Sequence, residues 1–435
     1  MAAESVGRRG AERPTGPLGY VAAALAATAA GVGVASWGAS QILIKPTKQG
    51  MWKMHRPLKV IDVDKTRGMI TISGQDAAVP GTWGLAWQGG YAQIDSPPNP
   101  PQADSNVPTV MRPFRMIEGT PPARGAQVHF DTLVWPDRAE IVGLPVQMVP
   151  VRGPVCELPA WLYRADAGGQ GQRAQGQSEP NQDWAIFVHG RKSRRAQAFR
   201  ALRPMHAAGW NCMTISYRND DWLPRTGTYG LGSTEWQDLE AAVAYARDHG
   251  AKRIILVGYS LGGAIVSNFL RNSDHAEAVV GQILDSPVLD WQVVLRRLAR
   301  SVGLPEFLAS AAMATTSMRT GIDFNDLDQL AHAEAFSKPI LLFHGDADEQ
   351  VPLDLSRAFA KARADIVTYV EVPGAGHVVA WNHDPEAYEE AVASFLAGFQ
   401  KQRRRGRLPT VHLRGRGNTE RSQKRRSSEP PVAAA

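Results

Sequence analysis

Ser260 stands between glycines in Gly258-Tyr259-Ser260-Leu261-Gly262, directly after the apolar run Arg253–Val257 and directly before the helical spacing of Leu261–Arg271. A strand-to-helix turn this tight holds its serine in a strained backbone conformation and projects the hydroxyl from the sheet edge at a helix amino terminus. A serine hydroxyl is a weak nucleophile near neutral pH, so a base must take its proton and a carboxylate must orient that base. His377, in Pro373-Gly374-Ala375-Gly376-His377, follows the β-prone run Val367–Val372. Asp348, in His344-Gly345-Asp346-Ala347-Asp348-Glu349-Gln350-Val351-Pro352, follows the run Pro339–Phe343. Asp346 and Asp285, the latter in Leu284-Asp285-Ser286-Pro287, compete with Asp348 as strand-end acids. Such a set does acyl chemistry through a serine.

The oxyanion formed on attack needs two aimed backbone donors. The Leu261 N–H follows the nucleophile directly, and the Arg191 N–H in His189-Gly190-Arg191 is expected as the second. His189 reads as a structural residue that turns this loop, rather than as the base. Neither a metal nor an organic cofactor is implied.

These residues need strand ends to sit on. From Trp184 onward, strand-length apolar runs alternate with helical spacings: Trp184–Val188, Ser193–Ala208, Trp210–Tyr217, Thr234–His249, Arg253–Val257, Leu261–Arg271, Val279–Leu284, Pro339–Phe343, Leu353–Ala364, Val367–Val372 and Glu386–Phe399. Alternation of this kind predicts an α/β fold, a mostly parallel sheet with helices on both faces, with reacting groups at the carboxyl ends of strands. Between Val288 and Ser337, in the lid position, Trp291–Leu298 and Phe307–Met313 read equally as helices shaping an acyl pocket or as packing. Upstream, Leu58–Val63 and Met69–Ile72 read as a hairpin that opens a small β-rich region over 50–145. Its stretch from Gly74 to Pro122 fits no periodic template, and Trp83, Trp87 and Tyr91 are expected in its core.

Charge divides the chain further. The 48 Lys and Arg against 42 Asp and Glu give +6, but residues 401–435 carry eleven basic and two acidic side chains, or +9, leaving −3 for the rest. That segment reads as a basic disordered tail. An anionic lipid or envelope polymer is its expected contact; nucleic acid is disfavoured because no binding module accompanies the charge. Residues 1–16 are a basic segment. Residues 17–44 carry no charge over a length that suits a transmembrane or signal-anchor helix, which predicts a single span and a membrane-associated enzyme domain outside the cell. Cys156 and Cys212 lie in apolar runs and form no disulfide framework.

Taken together, His189-Gly190, Gly258-Tyr259-Ser260-Leu261-Gly262-Gly263, His344-Gly345-x-x-Asp348-x-x-Val351-Pro352 and Gly374-x-Gly376-His377 resemble the serine α/β-hydrolases, in particular their esterase, lipase and serine-aminopeptidase branches. The resemblance covers about residues 150–400, within a domain placed at 146–400. It implies Ser260 as nucleophile, His377 as base and Asp348 as acid, since the Val351-Pro352 spacing suits Asp348 and not Asp346. Tyr217-Arg218-Asn219-Asp220 and Tyr229-Gly230-Leu231-Gly232 look like the matching loop of bacterial membrane-associated members. The expected activity is cleavage of a carboxylic ester, or less readily an amide, in a small-molecule or lipid acyl substrate through an acyl-enzyme. Acyl transfer, aminopeptidase activity and a non-catalytic binding role on the same fold stand as alternatives.

Overall fold

A computed structural model describes residues 17–46, 56–98, 107–165, 182–220, 223 and 227–406, with the backbone course alone for 17–30 and 401–406. Residues 1–16 and 407–435 of the basic tail lie outside the described residues. The chain divides into two compact units, 1–396 and 397–435.

The uncharged amino-terminal stretch forms the expected helix, α1 (Pro17–Ile44). Among the described residues, however, no helix is long and apolar enough to cross a membrane, which corrects the transmembrane or signal-anchor expectation. The last turn of α1 is instead packed within the protein, with Leu43 and Ile44 buried. The buried side of its last turns also carries Ser36 and Ser40.

The region after α1 is more complete than its sequence suggested. Six strands, β1 (Leu58–Asp64), β2 (Met69–Ser73), β3 (Trp83–Trp87), β4 (Gly90–Ile94), β5 (Thr109–Gly119) and β6 (Gln127–Asp131), close a barrel in the order β1-β2-β5-β4-β3-β6. Val60, Ile70, Ile72, Leu85, Ala92, Ile94 and Val128 fill it, with Trp83 stacked on Phe130. The pattern is hard to read in the sequence because Gly84 interrupts β3 on its outward face and Arg112 takes an inward position among apolar residues. Gly84 sits where a Cβ would come within 2.2 Å of the Tyr91 hydroxyl, so a strand residue there must be glycine. Arg112, fully buried, points its guanidinium at the carbonyls of Ala77, Val79, Gly81 and Asp95 and fastens the β2–β3 loop. Burial draws its pKa down to about 10.

The second sheet has eight strands: β7 (Gln147–Arg152), β8 (Glu157–Tyr163), β9 (Asp183–Val188), β10 (Asn211–Thr214), β11 (Arg253–Tyr259), β12 (Val279–Asp285), β13 (Ile340–Gly345) and β14 (Val367–Val372). Their order is β14-β13-β12-β11-β9-β10-β8-β7, parallel from β14 to β10 and antiparallel across β10-β8-β7. β9 and β13 are buried along their whole length, which is why they read as unbroken apolar runs. The helices are α2 (Phe199–Ala207), α3 (Trp236–Asp248), α4 (Leu261–Asn272), α5 (Trp291–Ser301), α6 (Glu306–Thr320), α7 (Leu353–Ala362), α8 (Ala380–His383) and α9 (Pro385–Gly406). They cover both faces. Trp184, Ile186 and Val188 join one cluster with Leu239 and Val243 of α3 and Ile265 of α4. On the other face Trp161 and Tyr163 pack on Phe199 of α2, and Phe343 stacks on Tyr388 of α9. Cys212 is buried in β10 and Cys156 half-buried; both are free thiols.

Candidate active site

The turn from β11 into α4 places Ser260 at φ 50°, ψ −114°, outside the helical and extended regions. A non-glycine residue held this way costs on the order of 1–3 kcal/mol, and the neighbouring structure must impose it. Ser260 N–H donates to the Asp285 carbonyl at 3.0 Å, and its own carbonyl accepts from Gly263 and Val288. The flanking glycines are close-approach positions: a Cβ on Gly262 would lie 2.1 Å from the Val188 carbonyl oxygen, and one on Gly258 2.7 Å from that of Gly262.

Three side chains named from the sequence meet in a line. His377 Nε2 lies 2.8 Å from Ser260 Oγ, and His377 Nδ1 lies 2.7 Å from Asp348 Oδ2. With Nδ1–H donating to the carboxylate, Nε2 of the neutral ring is left as the acceptor for the serine hydroxyl. The competing acids are engaged elsewhere. Asp346 Oδ1 accepts from the Gly374 N–H at 2.6 Å and pins the turn before His377. Asp285 is buried beneath the site, where its Oδ1 accepts from the Ser286 hydroxyl at 3.2 Å; burial pushes its pKa up.

Asp348 takes more donors than its motif suggested. Oδ1 accepts from the Gln350 and Val351 N–H groups at 2.8 and 2.9 Å, and Oδ2 faces His344 Nε2 at 3.2 Å as well as His377. Burial alone would raise this carboxyl. Hydrogen bonds from His344 and His377 outweigh it and hold the group well below the ordinary carboxylate range. His344 is in turn fixed by Ser356 Oγ at 2.7 Å on Nδ1. His189 is buried, stacked on Tyr217, with Nε2 on Asp220 at 3.1 Å and Nδ1 near the Gly190 carbonyl at 2.9 Å. Burial opposes its cation, but the Asp220 carboxylate outweighs this and raises the imidazole pKa.

Residues 185–391 match the model of the Alpha/beta hydrolase family. These residues carry the α/β-hydrolase fold. The hydrolase domain is similar to Esterase LipC of Mycobacterium tuberculosis, 27% identical over 212 residues that make up 44% of this chain and 50% of that protein; the chain thus spans about half the length of the curated relative it matches. Among solved structures it resembles the Pyrococcus furiosus esterase Pf2001, at 21% identity and a TM-score of 0.45 over 60% of this chain and 93% of that one. It also resembles the Thermogutta terrifontis esterase Est2, at 21% identity and a TM-score of 0.44 over 62% and 95% of the two chains.

In this domain a cleft of about 250 Å³ opens on Ser260 and His377. Leu261 and Arg191, expected as oxyanion donors, both line it; the intervening loop approaches so closely that a Cβ on Gly190 would lie 3.2 Å from Ser260 Cβ. The apolar wall comes from Val288 and from Trp291, Val294, Leu295 and Leu298 of α5. Of the two expected lid helices, α5 shapes the cleft, whereas α6 packs on α5 and α1.

Sequence reasoning missed three contributors. Arg200, buried in α2, donates to the carbonyls of Val378 and Thr132 and to Asn382 Oδ1, and Ser286 Oγ accepts from the Val378 N–H at 3.1 Å. Both act next to His377, and no local pattern announces them. The third is Leu43 of α1, in the cleft wall. Among the described residues no group of three or more His, Cys, Asp or Glu side chains is arranged to hold a metal ion.

Proposed function

We propose that this protein is a serine esterase that cleaves carboxylic esters of short, apolar acyl groups through an acyl-enzyme on Ser260. The observation that carries the reading is the unbroken line from Ser260 Oγ through His377 to the buried Asp348 carboxylate. Ser260 Oγ attacks the ester carbonyl as its proton passes to His377 Nε2. Asp348 holds the ring orientation and stabilises the imidazolium. The Leu261 and Arg191 N–H groups receive the oxyanion, and His377 gives its proton to the departing alcohol. A water then attacks the acyl-enzyme, its proton passing to His377, and the acid leaves as that proton returns to Ser260. The wall formed by Val288, Trp291, Val294, Leu295 and Leu298 suits an apolar acyl chain. A cleft of about 250 Å³ lies below the roughly 300–1,000 Å³ typical of drug-sized ligand sites and favours short chains. Likeness to Esterase LipC supports an ester over an amide.

The test is turnover of p-nitrophenyl esters from acetyl to dodecanoyl by the full chain and by Ser260→Ala, together with labelling by a fluorophosphonate. Wild type should prefer short chains and take one label, and Ser260→Ala should lose both properties. Equal turnover in the two proteins would remove Ser260 from the mechanism.

A further inference from the structure

The carboxyl end of α1 approaches the cleft by a route that ordinary packing does not require. The Arg191 guanidinium donates through Nη2 to the carbonyls of Ile42 and Leu43, at 3.1 and 2.7 Å, and lies over the Tyr229 ring. Ile44 O accepts from the Tyr229 N–H at 2.8 Å. These are carbonyls of the last helical turn, which have no intrahelical partners and carry the negative end of the helix dipole, so a cation is well suited to them. On the other side of the same helix end, Ser40 Oγ receives Thr316 Oγ1 and Arg319 Nη1 of α6, both at 2.9 Å. Leu43 lines the same cleft as Ser260.

The Arg191 main chain belongs to a tight turn. Ser193 N–H donates to Gly190 O at 3.1 Å, Lys192 takes a positive φ of 59°, Gly190 N–H donates to Gln197 Oε1 at 2.8 Å, and the Tyr217 hydroxyl reaches Gly190 O at 3.2 Å. Those ties hold Gly190 and Ser193. The ties that act at Arg191 itself run through its side chain to α1.

We propose that the carboxyl-terminal turn of α1 is a working part of the acyl site: its carbonyls anchor the Arg191 side chain and so set the turn that presents the Arg191 N–H to the oxyanion, while Leu43 bounds the acyl chain. This rests on the esterase reading above. Arg191 thus contributes twice, its amide as a donor to the reacting oxygen and its side chain as a positioning group. A tilt of the amide would weaken a bond that matters most in the transition state, and would therefore lower kcat with little change in KM.

The test uses the full chain with Arg191→Met, Arg191→Lys and Leu43→Trp, assayed on acetyl and octanoyl p-nitrophenyl esters and against an octyl trifluoromethyl ketone, which forms a tetrahedral adduct on the serine. Arg191→Met should lose about ten- to a hundredfold in kcat, keep KM within about twofold, and lose ketone affinity in parallel with kcat. Arg191→Lys, which restores the charge without the planar fork, should recover part of kcat. Leu43→Trp should depress the octanoyl-to-acetyl ratio of kcat/KM about tenfold or more. A merely structural role would lower thermal stability and leave kcat and ketone affinity unmoved. Wild-type kcat in Arg191→Met, or in Arg191→Ala should the methionine variant not fold, would overturn the proposal, as would an unchanged chain-length ratio in Leu43→Trp. Ser260→Ala separates the two levels: full activity there would overturn the esterase reading itself, whereas loss there with wild-type kcat in Arg191→Met would overturn only the role of α1.

Discussion

The barrel and the end of α1 grip the same cleft from two sides and by different physics. The barrel mounts the loop that carries His377. Ala375 and Val379, each two residues from His377, belong to the barrel's buried apolar cluster. Asn382 exchanges bonds with Thr82, accepting from its N–H at 2.7 Å through the main-chain carbonyl and donating to its carbonyl at 2.8 Å, and also donates to Thr132 O. Helix α1 buries only its last residues, Leu43 and Ile44, in the core of the second sheet; it holds the Arg191 turn and α6 by hydroxyl and guanidinium contacts to a few polar atoms, and leaves Trp37 and Ile42 exposed. A buried apolar mount with saturated hydrogen bonds is stiff, and disrupting it costs stability. A polar hold at a helix end costs less to open, and its effect falls on the geometry of one turn. The comparison teaches that the His377 loop should be fixed with the fold, while the Arg191 turn is adjustable.

The largest expected effect removes what both mounts serve. Asp348→Asn should lower kcat by about 10⁴-fold, because the amide no longer enforces the tautomer that leaves His377 Nε2 free to accept; steady-state ester hydrolysis checks it. The same variant carries a pH signature. The folded Asp348 carboxyl titrates below its ordinary 3.8, so on acidification the unfolded chain takes up this proton first. Its contribution is complete above roughly pH 4 and fades as pH falls through the lower folded value. The stability gap between wild type and Asp348→Asn, followed by urea unfolding, should therefore close below about pH 4; a gap that widens there would contradict the depressed pKa.

Next in size is the barrel-side mount. Arg200→Met would leave the Val378 carbonyl and Asn382 Oδ1 buried without their donor, while Thr132 O keeps Asn382, a loss of about 3 kcal/mol at roughly 1–3 kcal/mol for each unsatisfied group. A large fall in melting temperature together with reduced kcat is expected. Unchanged stability with reduced kcat would place the His377 loop among the adjustable parts and dissolve the contrast.

Much of the site was legible because its signals are local. Glycines at 258, 262 and 263 mark a turn that only they can occupy, and the apolar runs of β9, β11 and β13 are those of strands buried on both faces. Ser260, Asp348 and His377 follow from strand ends and chain order. For the acid, strand ends alone leave Asp346 and Asp285 as competitors, and the Val351-Pro352 spacing favours Asp348. The barrel was half hidden, because Arg112 occupies an inward strand position where the alternation rule expects an apolar side chain, and Gly84 interrupts β3. The role of α1 was hidden altogether: an uncharged Ala- and Gly-rich run has the length of a membrane span, and nothing in it shows that its last carbonyls meet an arginine 148 residues away. Contacts made across such a separation leave no periodicity to read.

The smallest effect sharpens the comparison from the α1 side. Ser40 is fully buried, and its hydroxyl accepts from both Thr316 and Arg319. Ser40→Ala removes that acceptor but leaves the Ile42 and Leu43 carbonyls on Arg191. The expected cost is about 1 kcal/mol, well under that of Arg200→Met, and visible as a small shift in a thermal melt. Activity on the acetyl ester should fall less than in Arg191→Met, because the turn keeps its own anchor. The octanoyl-to-acetyl ratio should change more than kcat does, since loosening α1 from α6 displaces Leu43 before it disturbs the amide of Arg191. If Ser40→Ala melts as early as Arg200→Met, the helix end is held as stiffly as the barrel, and both sides of the cleft are fixed with the fold.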